Sequence, residues 1–188
     1  MIPENLPRKY LFVAGIIAPA VIAVPATAIA AKQYLTIEQA QRVMFPSAEQ
    51  FVPIPIKPTE DELKKFSELA DDSTDEWLAR IWRVEEAGRL QGYFIVDDVI
   101  GKHDYISYAV ALSNEGVISA VELLEYRETK GGEIERQSWR EQFKGKSGSD
   151  SLVVGESIAN ISGATLSCKH VTAGVRRILA LYQVKLKR

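Results

Sequence analysis

The segment "YISYAVALSNEGVISAVELLEY", Tyr105 to Tyr126, constrains the fold more than any other. Two runs rich in β-branched and aromatic residues flank Asn114-Glu115-Gly116, and that pattern predicts a β-hairpin. Upstream, "ARIWRVEEAGRLQGYFIVDDV" reads as two more strands around a turn at Glu86-Ala87-Gly88. An amphipathic helix through Thr74–Glu85 is the rival reading there. Helical patterns stand on both sides of this strand-rich centre. A parallel doubly wound sheet would need alternating strands and helices, which are missing. The expectation is an α+β fold, with an antiparallel sheet packed against helices.

The flanking helices have recognisable starts. In "YLTIEQAQRVMF", Thr36 suits an N-cap, Ile37, Ala40, Val43 and Met44 form an apolar stripe, and Pro46 marks the end. "FVPIPIKP" carries three prolines and can only be a connector or a sheet edge. Thr59 and Glu62 make a capping-box pattern, with Leu63, Phe66 and Leu69 or Ala70 on one side. "ERQSWREQFKG" predicts a short helix with Trp139 and Phe143 on one face, and "KSGSDS" a polar loop. The last helix is expected from about Leu166 to Val184, packing Val171, Val175, Ile178, Leu179 and Tyr182 on the sheet.

Residues 1–31 are a separate matter. Arg8 and Lys9 precede an apolar run, followed by small residues at Ala28 and Ala30. That order is the order of an export signal. From Tyr10 to Ala31 the only polar side chain is Thr27, and about 20 apolar residues can span a bilayer. The segment therefore reads as a signal peptide or a transmembrane anchor. Either way the flanking charges hold the N-terminus inside, and the rest of the chain is expected in the periplasm or another extracytoplasmic space. The organisation expected is 1–31 as signal or anchor, 32–75 as a helical and Pro-rich lead-in, and 76–188 as the principal domain.

Several chemistries are unsupported. A net charge of −2 gives no reason to expect nucleic acid. One cysteine excludes an internal disulfide framework, and with two histidines it falls short of a structural zinc site. Gly145-Lys146-Ser147 lacks the glycine five residues earlier that a phosphate loop needs, since Arg140 stands there. His103 and His170 read as structural or surface residues. Cys168 reads as a small packed residue, with a reactive thiol as the alternative at a helix start. Asp97-Asp98 and Glu85-Glu86 read as solvated strand ends. Asn160-Ile161-Ser162 is a formal glycosylation sequon, relevant only to a eukaryotic secretory route. A hydrolase using Ser162 or Ser167 with His170 lacks a nucleophile elbow and a placed carboxylate. No catalytic residue and no metal ligand is assigned.

The turn "SGATLS" before the last helix asks for an explanation. Gly163 and Ala164 let backbone come close to a ligand. Free amides at a helix start, with the helix dipole, favour an anion by roughly 0.3–1 kcal/mol. Hydroxyls of Ser162, Thr165 and Ser167 belong to the same stretch. An ordinary helix cap would account for this as well.

"SGAT", followed by Leu166-Ser167 and an amphipathic helix, resembles the covalent flavin attachment motif of the FMN-binding domain family. That family includes the periplasmic flavoprotein subunits of the Rnf complex and of the sodium-translocating NADH:quinone reductase. "VISAVELLEYRETKGGEIERQSWREQFKGK" resembles the family's strand, its "ETPG"-type loop and the helix after it. The resemblance implies FMN attached by a phosphoester to Thr165, placed there by a dedicated flavin transferase. Ser162, Gly163, Ala164, Leu166 and Ser167 would surround it, and Glu128, Thr129, Gly131 and Gly132 would lie near the flavin. It implies an electron carrier that works with redox partner proteins, including a membrane electron-transfer complex. The chain departs from the pattern at Ala159, where the family usually has Asp, at Lys130 in place of proline, and at Arg127 in place of histidine. Arg127 and Lys130 could stabilise a reduced flavin or be solvated cations. Ala159 motivates a second reading, a binding or assembly module with the same fold and no flavin.

Overall fold

The computed structural model describes residues 32–70, 79–127 and 132–187. The 1–31 segment, and with it the expected signal or anchor, lies outside the described residues. Among the described residues no helix is long and apolar enough to cross a membrane.

Six strands form one antiparallel sheet: β1 (Lys32–Gln33), β2 (Gln50–Pro53), β3 (Arg80–Glu86), β4 (Arg89–Ile100), β5 (Tyr105–Ser113) and β6 (Ile118–Tyr126). Their order across the sheet is β1-β6-β5-β4-β3-β2. The four central strands are the two expected hairpins in sequence. The rival helix through 74–85 is overturned from Arg80 onward, and residues 71–78 lie outside the described residues. Along β5, Tyr108, Val110 and Leu112 join one core and Ala109 and Ala111 the other, so successive side chains face opposite sides of the sheet. The lead-in adds both outer strands. β2 ends at Pro53 and sits at an edge, where a missing N–H costs no ladder bond.

Helices α1 (Ile37–Met44), α2 (Glu60–Ala70), α3 (Gln137–Arg140) and α4 (Thr165–Leu181) cover the sheet. On one face Ala40 and Phe45, from α1 and its end, pack with Phe94, Val96, Ala109, Ala111 and Leu124. On the other, Phe66 of α2, Trp139 of α3 and Val171, Val175 and Ile178 of α4 pack with Tyr93, Ile95, Tyr108, Val110 and Val121. The expected Thr59–Glu62 capping box forms, and Thr36, expected as an N-cap, makes a second box with Gln39. Thr36 exchanges bonds with Gln39, at 2.8 and 3.2 Å, and Thr59 with Glu62, at 2.9 and 3.3 Å. Trp139 and Phe143 meet edge to face with centroids 5.2 Å apart.

Two expectations need correction. Asp97 is not a solvated strand end but a buried side chain in β4. Its Oδ2 accepts from Tyr108 Oη at 2.7 Å and from Arg177 Nη2 at 3.3 Å, and these partners make a buried carboxylate tolerable. Helix α4 stops at Leu181, and a π-helical turn over Tyr182–Leu186 completes the segment. That turn brings the Leu186 carbonyl to the hydroxyl of Tyr93 at 3.1 Å.

Candidate functional site

The stretch 159–165 is set by its neighbours before it reaches α4. Trp139 Nε1 donates to the Ala159 carbonyl at 2.8 Å, and the Ala159 amide donates to Gln142 Oε1 at 2.7 Å. Position 159 is thus held from both sides by backbone groups, and the methyl side chain takes no part. The Ala164 amide then closes a turn on the Ile161 carbonyl at 3.0 Å. Gly163 has φ +87°, a conformation most side chains resist, and a Cβ there would meet nothing within 4 Å. The turn is therefore open to solvent on that side.

The ordinary cap reading fails. The N-cap of α4 is Ala164, which has no hydroxyl to offer, and no side chain bonds the cap position. Thr165 is the first helical residue and is half-buried, while Ser162, Gly163 and Leu166 are exposed. Ser167 faces inward, and its hydroxyl lies 3.2 Å from that of Tyr126. The helix start thus presents amides without a side-chain acceptor beside an accessible hydroxyl, an arrangement that suits an anion.

Tyr126 ties the second motif to this turn. It ends β6, immediately before the loop expected to lie near the flavin. Gly132, the far end of that loop, lies beside the Tyr126 ring: a Cβ on Gly132 would come 3.9 Å from Cε1. Glu128, Thr129 and Gly131 lie outside the described residues. The role of Tyr126 was hidden in the sequence, because it depends on a partner 41 residues away. Glu133 is a further residue that the spacing did not single out. Its Oε2 is buried with no hydrogen-bond partner among the described residues.

The other candidates resolve into structural roles. Burial pushes the Cys168 thiol pKa up, with Glu133 adding to the shift, so the reactive-thiol alternative loses its basis. His170 Nδ1 faces the carbonyls of Ile100 and Gly101, the latter at 3.0 Å, so that nitrogen carries the proton. This clamps α4 to the turn after β4. Arg127 forms two 3.0 Å bonds to Glu125, which offsets its charge. Among the described residues no three His, Cys, Asp or Glu side chains form a metal position. A cavity of about 310 Å³ lies on the α1 face, lined by Leu35, Ile37, Arg80, Ser107 and Glu125. It includes none of the candidate residues.

The sheet thus carries a last long helix that begins at an open SGAT turn. The model of the FMN-binding domain family matches residues 101–180. Nearly the whole chain is also similar to a component of the Na(+)-translocating ferredoxin:NAD(+) oxidoreductase complex of Acetobacterium woodii. The two are 29% identical over 196 aligned positions, which cover 93% of each chain.

Proposed function

We propose that this chain is an extracytoplasmic electron-transfer flavoprotein, a subunit or partner of a membrane redox complex, carrying FMN on Thr165. One observation supports the reading above all: the uncapped, solvent-open start of α4 stands within a matched FMN-binding domain, with Thr165 as its first helical residue. The similarity to a component of a ferredoxin:NAD(+) oxidoreductase complex supports the electron-transfer part.

The residues present fit the cofactor. Thr165 Oγ1 would carry the phosphoester, and the amides at the α4 start would face the phosphate, with the helix dipole favouring its charge. Gly163 leaves room beside it. Glu133 Oε2, buried without a hydrogen-bond partner among the described residues, would be an acceptor for a ring N–H. When bound, FMN supplies the redox chemistry, and the chain orients it and sets its surroundings. A tether has a physical purpose outside the cytoplasm, where free FMN is scarce. A site with Kd about 1 μM corresponds to about −8 kcal/mol and would stand almost empty at nanomolar ligand. A covalent bond removes dissociation and keeps the local concentration high. It also lets the ring stay exposed for exchange with partners.

Ala159 favours a second reading, in which a flavin transferase does not accept this turn and the chain serves as an assembly module. Expression with the N-terminal segment and a flavin transferase, followed by a denaturing gel under ultraviolet light, separates the two. The first reading expects a fluorescent band that Thr165→Val abolishes. A dark band from the parent chain, with a family member flavinylated in the same cells, gives the second.

A further inference from the structure

The strand register fixes which end of the sheet lies next to the N-terminal apolar run. Lys32 pairs with Tyr126, Tyr126 with Ile106, and Ile106 with Val99, so these four residues form one row across the sheet. One step further out stand Ile100 and Tyr105, paired with each other, and Arg127, whose amide donates to the Tyr105 carbonyl at 3.4 Å. Ala31 is the next residue out from Lys32 in the chain, and it is also the last residue of the apolar run. No polar spacer separates that run from the sheet. At about 4.8 Å per strand, Tyr105 and Ile100 lie roughly 10–15 Å to the side of β1.

The surface at this end is unusual. Ile100 is 56% exposed and Tyr105 54% exposed, side by side on the face that α1 leaves open. Leu166, at the start of α4, is 43% exposed. These are three of the six exposed large hydrophobic side chains among the described residues. Lys102 and His103 are exposed in the turn between β4 and β5, with Asp104 beside them. Arg80 and Arg127 stand on the same face, paired with Asp98 and Glu125. Apolar tips and an amphipathic tyrosine beside the exposed Lys102 match the chemistry of a lipid headgroup region. The opposite end of the sheet, at Asn114-Glu115-Gly116, is a polar turn.

We infer that the sheet end carrying Ile100, Tyr105 and the 101–104 turn rests on the surface of the bilayer that holds residues 10–31. The Tyr126–Ser167 bond puts the start of α4 at the same end. Thr165 therefore stands close to the membrane surface. The inference rests on the extracytoplasmic reading, with residues 1–31 as the transmembrane anchor rather than a cleaved signal, and does not depend on the flavin.

The test uses the full chain in vesicles of phosphatidylethanolamine and phosphatidylglycerol. Nitroxides are attached to Ile100→Cys, Tyr105→Cys and, at the far turn, Glu115→Cys. The unsubstituted chain, whose one cysteine is buried, serves as the labelling blank. The expected result is that nitroxides at 100 and 105 collide more with oxygen than with a water-soluble nickel chelate, and that the order reverses at 115. If either apolar-site variant fails to fold, Lys102→Cys in the exposed turn takes its place. Retention of the chain through alkaline carbonate, with all positions equally water-like, overturns the orientation and leaves the anchor standing. Release by carbonate overturns the anchor and the orientation together. Gel fluorescence of each variant reads the flavin part separately.

Discussion

The two ends of α4 are built for different purposes. From its middle onward the helix is locked. Gly174 brings it against the sheet so closely that a Cβ there would lie 2.0 Å from Tyr108 Oη. Arg177 reaches the buried Asp97, and Tyr182 Oη donates to the Asn114 carbonyl at 2.7 Å. The N-terminal end has no side-chain cap, an exposed leucine and an open glycine turn. A helix fixed at one end can hold the other in place without covering it. The difference teaches that the site's precision comes from packing remote from it.

Substitutions can break this contrast in order of size. Asp97→Ala should cost most, about 3 kcal/mol, because it strands the buried Tyr108 hydroxyl and breaks the largely buried ion pair to Arg177. Urea denaturation measures it, and a cost near zero would mean that the buried group does not lock the helix. Gly174→Ala should cost about 2 kcal/mol by overpacking against Tyr108. Tyr108→Phe removes the clashing oxygen, so a double-mutant cycle should recover part of that cost. Trp139→Phe should cost about 1 kcal/mol through the lost bond to the Ala159 carbonyl, and should loosen hydrogen exchange across 159–164.

The open end should respond differently. Thr165→Val should change stability by no more than about 0.5 kcal/mol, as expected for a site without a cap or core role, while removing all flavin. A large loss of stability would make Thr165 a structural residue. The smallest effect belongs to the Lys185–Glu62 pair, which ties the π-helical turn after α4 to α2 at 2.8 Å. The bond from Lys185, with that from the Thr59 amide, holds the Glu62 carboxyl below its ordinary value of 4.5. A depressed carboxyl stabilises the fold above its unfolded pKa and loses that contribution as pH falls through the folded one. Glu62→Gln should therefore slightly reduce the acid sensitivity of the melting temperature below about pH 4.5, and salt should shrink the difference.

Much of this fold was legible. The two hairpins were announced by β-rich runs around Glu86-Ala87-Gly88 and Asn114-Glu115-Gly116, and two helix starts by Thr36 and Thr59. The inward face of α4 followed from the spacing of Val171, Val175 and Ile178. What escaped depended on distant partners or on too few residues. β1 is two residues long and has no period to detect. Asp97 looked solvated because Arg177, its partner, is 80 residues away in sequence. The candidate turn was visible as a motif, but that Ala164 rather than Thr165 holds the cap position is a property of backbone angles. The inward turn of Ser167 towards Tyr126 was equally invisible, since it takes the folded sheet to bring them together.

The central claim concerns one bond, and intact mass measurement addresses it directly. Chain matured with a flavin transferase should gain the mass of one esterified FMN, and digestion should find it on the tryptic peptide Ser147–Lys169. Thr165→Val should return the bare mass. A bare parent chain, in cells where another family member is modified, would contradict the account, as would FMN found on any other peptide.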